Sequence, residues 1–251
     1  MPTQPGGYRT RDGKRVPSNT TIVGKWKAAD PMMWWSWNLA YEPLMQARAL
    51  LKRWQAGESF NGEVASFLSL PDDTFDYKAA RDKAGDAGTC CHEQVECRIH
   101  SKPFDASLYS AETLERARPA FEAFEEWAKG SKLEVVETEK ALVSEKHRFG
   151  GTLDAMAIQG KLSLLDWKTS NAIYGDYLVQ LAGYAILWEE NYPDRPIEGG
   201  FHLCRFSKQA KPDDPVSFSH HYWSHLEAAK RQFLLFRESY DLSAELGKLA
   251  K

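Results

Sequence analysis

Cysteine is scarce in this chain. Four in 251 residues (Cys90, Cys91, Cys97 and Cys204) make no disulfide scaffold for a protein of this length. Three of them fall in a helical pattern, so buried, reduced thiols are the expectation. Long apolar runs are missing too. None approaches the roughly 20 residues that a membrane span requires, and the polar first twenty residues lack a signal-peptide apolar stretch. The chain therefore reads as soluble and cytoplasmic. A dominant charge sign is also absent: 32 lysines and arginines face 35 aspartates and glutamates, for a formal net charge of −3. That balance neither demands nor excludes a nucleic-acid partner, because a local basic groove can coexist with an acidic remainder. No internal repeat and no low-complexity tract is visible.

What is present supports a packed core. Hydrophobic residues make up 43% of the chain, which argues against global disorder and for one large domain or a core with an elaborated end. Residues 1–17 carry three prolines and three glycines and read as a flexible or extended leader. Ser18 to Gly24 suits a short strand or a helix start. Helical periodicity follows from Met32 to about Trp54, interrupted or begun afresh at Pro43. It resumes from Phe75 to about Ile99, weakened by Gly85 and Gly88, and again from Ala111 to Lys129, with a kink expected at Pro119. The pattern then changes to strands at Leu133 to Val143, Gly151 to Ile158 and Lys161 to Trp167. Gln159-Gly160 suits the hairpin turn between the last two. A helix from Tyr174 to Trp188, strands at Gly199 to Phe206 and Pro215 to Trp223, and a helix from Leu226 to about Lys248 complete the chain. The expected division is an N-terminal helical extension over 1–74 and a single continuous core domain over 75–251.

The residues that point to chemistry lie on the strands. Asp166 and Lys168, two apart on one strand, share a face. A hairpin turning at Gln159-Gly160 sets Asp154 opposite position 165, one residue from Asp166, so a small bulge or register shift would bring the two acids together. Two converging carboxylates with an ammonium beside one of them are what metal-assisted phosphodiester cleavage needs. Hard oxygen ligands favour Mg²⁺ or Mn²⁺ over zinc. A lone D-x-K has little value; a G-G-T-x-D followed by a hairpin and D-x-K is far rarer. Upstream, Gly88, His92 and Val95 fall on one helical face, the glycine permitting close backbone approach and the histidine offering a neutral imidazole as a third ligand. Glu93 and Glu96 read as solvated face. Downstream, Tyr177, Gln180, Leu181, Tyr184, Leu187 and Trp188 recur at helical spacing. Gln180 does not suit a core stripe and asks for a hydrogen-bonding task. Trp26, Trp34, Trp35 and Trp37, with the six basic side chains of residues 1–30, form either a stacking wall for single-stranded DNA or, since Trp34 and Trp37 fit one helical face, part of a helical core.

Taken in order, Gly88-Thr89-Cys90-Cys91-His92, Gly151-Thr152-Leu153-Asp154, Asp166-Trp167-Lys168 and Gln180-Leu181-Ala182-Gly183-Tyr184 resemble the four motifs of the PD-(D/E)XK nuclease superfamily, specifically its RecB-like exonuclease branch. The run Asp166-Trp167-Lys168-Thr169-Ser170 is similar to phage and mitochondrial genome maintenance exonucleases. The resemblance implies an α/β, restriction-endonuclease-like core of helix, three-stranded antiparallel meander, helix and strand, with an N-terminal helical extension and a C-terminal helix. It implies a Mg²⁺- or Mn²⁺-dependent DNA exonuclease of recombination, repair or replication, acting on ends or single strands. His92, Asp154 and Asp166 would be ligands, Lys168 the catalytic lysine, and Gln180 and Tyr184 its support. Glu139, or the nearby Glu137, would match an accessory acid. Pro17-Ser18-Asn19-Thr20-Thr21-Ile22 resembles a stretch in related phage proteins, which makes Ser18, Thr20 and Thr21, with Trp26 and Trp35, the expected DNA contacts. Some relatives carry an iron–sulphur cluster; only Cys204 lies downstream here, so none is expected. An endonuclease of the same fold and a non-catalytic nucleic-acid-binding module are the alternatives. DNA is the implied partner, with room for a homo-oligomer or a recombination or replication protein, in a bacterial or phage-infected cytoplasm.

Overall fold

A computed structural model describes residues 6–26, 30–58, 62–69, 77–170, 172–207 and 218–250. The elements run β1 (Tyr8–Arg9), β2 (Arg15–Val16), α1 (Asn19–Lys25), α2 (Asp30–Gln55), α3 (Glu63–Leu68), α4 (Tyr77–Ile99), α5 (Ala111–Ser131), β3 (Leu133–Ser144), β4 (Phe149–Ile158), β5 (Lys161–Thr169), α6 (Gly175–Asn191), β6 (Phe201–Phe206), β7 (Phe218–Trp223) and α7 (Glu227–Leu249). Two compact units result. One joins the described residues of 1–27 to those of 87–251; the other comprises those of 28–86. Within the larger unit β1 of the leader packs against β4, and α1 against β4, α6 and α7.

In the smaller unit, Pro43 sits inside an unbroken α2. At its end Arg53 pairs with Glu58 at 2.7 Å and also reaches Glu63 at the start of α3. Trp37 is 59% exposed and stacks on Tyr41, so it does not belong to a core stripe.

The larger unit is built on a mixed five-stranded sheet in the order β3-β4-β5-β6-β7. β3, β4 and β5 pair antiparallel, β5 and β6 parallel, and β6 and β7 antiparallel. The β4–β5 turn is tight because Gln159 and Gly160 both take positive φ, 53° and 76°, the requirement of a type I′ hairpin. Side-chain alternation sends strand residues to two separate cores. On one face Leu142, Leu153, Ala155 and Leu164 pack with α1, α6 and α7. On the other, Met156, Leu165, Trp167 and Phe206 pack with Cys90, Cys91 and Val95 of α4 and Phe124 of α5. α6 is apolar nearly all round because it lies between the sheet and the outer helices.

Three cysteines, Cys90, Cys91 and Cys204, are buried free thiols; Cys97 is half-buried. Burial pushes the Cys90 thiol up to about 11, which keeps it protonated and inert. Of the two readings of the leader, flexible or extended, its described residues take the extended one. β1 and β2 pair, Tyr8 and Val16 are buried, and Gly150 donates to the Pro17 carbonyl at 3.0 Å. Ser18 to Gly24 resolves as a helix, capped by Ser18, whose Oγ accepts from Thr21 N. Among the described residues no helix is long and apolar enough to cross a membrane.

Candidate active site

The β4–β5 register decides where the two strand acids go. Asp154 pairs with Leu165, and regular pairing extends unbroken from there to the turn. The bulge expected in this hairpin is absent. Bulges lie instead between β3 and β4, at Val135/Glu137 and Glu137/Lys140. Directly paired residues share a face, so Asp154 follows Leu165 and Met156 toward α4, while Asp166 and Lys168 follow Leu164 toward α6. What keeps the acids near each other is a fork. Past Asp154 and Leu165 the strands part: β4 continues paired to β3, and β5 to β6. Asp154 is the last paired residue on one prong, and Asp166 the first past the split on the other.

On the α4 side, Asp154 Oδ1 accepts from the Glu139 backbone N–H at 2.8 Å. That N–H is free to reach it because Glu139 stands in the β3 bulge with φ 47°. Burial pushes the Asp154 carboxyl up, the charges of Asp166 and Glu139 add to this, and the bond from Glu139 works against it. Glu96, read from the sequence as solvated face, is part of this cluster. Its carboxyl hydrogen-bonds that of Glu139 and is pushed up to about 7, with burial and the charges of Glu139 and Asp154 contributing. Glu93 is also engaged, accepting from the Tyr109 hydroxyl. Glu137 points elsewhere, paired with Arg195 at 3.3 Å and Lys140 at 3.5 Å. The choice between Glu137 and Glu139 as neighbour of Asp154 thus falls on Glu139.

α4 reaches the sheet because position 88 carries no side chain. A Cβ there would lie 2.6 Å from Thr169 Cγ2. One turn on, the His92 ring meets Phe206 edge-on at 5.6 Å. Burial, then the Lys168 charge, holds its imidazole down at about 4, so the ring is neutral and able to offer a lone pair.

On the α6 side, the Asp166 side chain is 2% exposed and its Oδ2 lies 2.7 Å from Lys168 Nζ. That oxygen is fully buried and makes no oriented hydrogen bond; the ammonium is its close partner. Lys168 Nζ also lies 5.6 Å from the centre of the Tyr177 ring. Gln180 Nε2 donates to the Tyr184 oxygen at 3.0 Å, the polar task its place in an apolar stripe required. Burial raises the Tyr184 hydroxyl, and the Asp166 charge raises it further, so it stays protonated. The Gly150-Gly151 pair admits these neighbours: a Cβ at 151 would lie 3.0 Å from Tyr184 Cε1, and one at 150 only 2.3 Å from Tyr8 Cγ.

The donor chemistry of Asp154, Asp166 and the neutral His92 suits a hard divalent cation. Among the described residues, however, no three His, Cys, Asp or Glu side chains are gathered into a ready cage, and Asp166 Oδ2 is already held by an ammonium. By donor chemistry these residues fit a cation, and Asp166 Oδ2 is the one oxygen among them that an ammonium occupies.

The expected DNA contacts are placed less tellingly. The hydroxyls of Ser18, Thr20 and Thr21 are joined in the α1 cap, with Ser18 Oγ 2.9 Å from Thr20 Oγ1 and 2.7 Å from Thr21 Oγ1. Trp26 stacks on Phe236 of α7 and is 39% exposed. The side chain of Trp35 lies outside the described residues. Three neighbours of the site carry no site role in the sequence reading, which has Glu96 as solvated face and Tyr177 in an apolar stripe. Glu96 lies one turn beyond His92 and Tyr177 one turn before Gln180, spacings that were a usable signal. Tyr8, whose hydroxyl is hydrogen-bonded to Thr152 at 2.8 Å, gave none.

No protein-family model matches the chain, and no curated protein does. Solved structures do. A candidate exonuclease from Eubacterium rectale is similar over 61% of this chain and 64% of its own, with 14% identity and a TM-score of 0.43. The protein SSO0001 is similar over 48% and 55%, with 18% identity and a TM-score of 0.29. The alkaline exonuclease LHK-Exo from Laribacter hongkongensis is similar over 66% of this chain and 92% of its own, with 13% identity and a TM-score of 0.30. The chain thus spans less than two thirds of the first two of these structures.

Proposed function

We propose that this protein is a Mg²⁺- or Mn²⁺-dependent deoxyribonuclease with a restriction-endonuclease-like core of the RecB-like PD-(D/E)XK type, acting as an exonuclease on DNA ends or single strands. One observation carries the reading. At the β4–β5 fork, Asp154 and Asp166 stand on the two prongs. Lys168 is 2.7 Å from Asp166, and the neutral His92 feels the same ammonium.

Asp154, Asp166 and His92 would hold the cation, with Glu139 as accessory acid. The cation supplies charge neutralisation at a phosphate and acidifies water. The remaining work belongs to the chain. Lys168 orients the attacking water and stabilises charge that builds on the phosphoryl oxygens. Tyr184, kept protonated and accepting from Gln180, is free to donate toward the acids or the scissile strand. Ser18, Thr20, Thr21, Trp26 and Trp35 are the proposed contacts to the nucleic acid.

Degradation of linear and of circular DNA, each with Mg²⁺ and with EDTA, tests the proposal. Mg²⁺-dependent loss of linear DNA alone supports an exonuclease. Cutting of circles as well points to an endonuclease on the same core. DNA binding without cleavage points to a non-catalytic module. Lys168→Ala should lower the rate about 10²–10³-fold, the usual cost of one electrostatic stabiliser; full activity in that variant would remove the proposed mechanism.

A further inference from the structure

The ammonium of Lys168 stands where a cation would be expected to bind. Its close partner, Asp166 Oδ2, is a buried carboxylate oxygen with no oriented hydrogen bond. Its charge bears on the imidazole of His92, another proposed ligand. The face of Tyr177 flanks it at 5.6 Å, and its own side chain is only 15% exposed. A buried carboxylate without a counter-charge is costly, and a cation beside Asp166 Oδ2 offsets that cost. The lysine stem, two residues along the same strand face, delivers one from within the chain.

We infer that Lys168 is the resident counter-ion of Asp166 and competes directly with the divalent cation for that carboxylate, so that cation binding and release of the ammonium are one exchange. The inference rests on the function proposed above, and it adds a second duty to the lysine. When the site is loaded, the ammonium leaves Asp166 and becomes available to water and phosphate. When the site is empty, it returns and keeps the buried acid paired. Lys168 is thus placed for the reaction by the same event that loads the site.

Binding of Mn²⁺ alone, followed by titration calorimetry without DNA, separates this exchange from a merely structural lysine. A neighbouring charge alters the proton affinity of a carboxylate by about one to three orders of magnitude. Removing the ammonium in Lys168→Met, which keeps the apolar stem, should therefore tighten Mn²⁺ binding about tenfold or more. Thermal melting supplies a second readout should that variant fold poorly. Without cation, Lys168→Met should melt below the parent protein, and saturating Mn²⁺ should close the gap, because the metal replaces the lost counter-charge. Asp166→Asn should bind Mn²⁺ poorly in either background. Unchanged or weaker Mn²⁺ binding by Lys168→Met, or a melting deficit that Mn²⁺ leaves in place, would overturn the exchange while leaving the nuclease reading intact if the parent still binds Mn²⁺ and cleaves. Absence of Mn²⁺ binding in both the parent and Lys168→Met would overturn both.

Discussion

Gly88 on α4 and Thr169 on β5 touch so closely that a Cβ on the glycine would come within 2.6 Å of Thr169 Cγ2 and 2.8 Å of its Cβ. Because Thr169 is branched at Cβ and fixed in the strand, it has little room to yield. Gly88→Ala should therefore force α4 off the sheet at the turn that carries His92, at a cost of about 1–3 kcal/mol. On the same helix, a Cβ at position 85 would meet no described atom within 4 Å, so Gly85→Ala should stabilise by up to about 1 kcal/mol through helix propensity. Thermal melting of the two variants side by side checks the prediction. Equal shifts in one direction would mean that the contact at position 88 does not set the helix in place.

Glu137 and Glu139 are two residues apart yet do different work. Glu137 is committed to Arg195 and Lys140, whereas Glu139 adjoins Asp154 and Glu96. Glu137→Gln should leave DNA cleavage within about twofold of the parent, because a partly exposed ion pair contributes little. Glu139→Gln should lower kcat/KM by about tenfold or more, the scale of one charged neighbour at a cation site. Steady-state rates at fixed Mg²⁺ decide it, and the reverse ranking would exclude Glu139 as the accessory acid.

Tyr184→Phe removes the oxygen that accepts from Gln180 Nε2 while keeping the ring against Gly151. Loss of that bond should cost about 0.5–1.5 kcal/mol in stability. Cleavage should slow while Mn²⁺ binding stays unchanged, because the hydroxyl is not among the proposed ligands. Parallel weakening of Mn²⁺ binding would assign the tyrosine to the ligand set instead.

The hairpin was legible because two local signals agreed. Gln159-Gly160 accepts the positive φ of a tight turn, and counting back from it gives Asp154 opposite residue 165, the register found. The close approach of α4 was legible in Gly88, and the hydrogen-bonding role of Gln180 in its misfit with an apolar stripe. Other relationships depended on distant segments. Glu96 looks like any helix-surface acid until the β3 bulge brings Glu139 to it. Tyr8 lies in a Gly- and Pro-rich leader whose two-residue strands are too short for any periodicity. The bulge or register shift that would set the two acids opposite each other is absent from the hairpin; they diverge in face and are kept close by the parting of β4 from β5, a feature of the whole sheet.

Proton binding by Glu96 offers a test that needs no DNA. Its carboxyl rises from 4.5 to about 7, first through the hydrogen bond shared with Glu139 and then through burial and nearby negative charge. The folded state therefore holds that proton more tightly than the unfolded chain. Its stabilising effect is complete below about 4.5 and is lost as pH rises through about 7. His92 acts in the opposite sense: held down from 6.5 to about 4 by burial and Lys168, it favours the folded state as pH rises across that interval. The parent alone would mix the two slopes. Glu96→Gln keeps a hydrogen-bonding partner for Glu139 but cannot ionise, so its melting temperature minus that of the parent should grow from about pH 5 to pH 8 in EDTA. Added salt should shrink the difference, since Glu96 is exposed to solvent. A difference that stays flat across this range would mean that Glu96 and Glu139 do not share a proton.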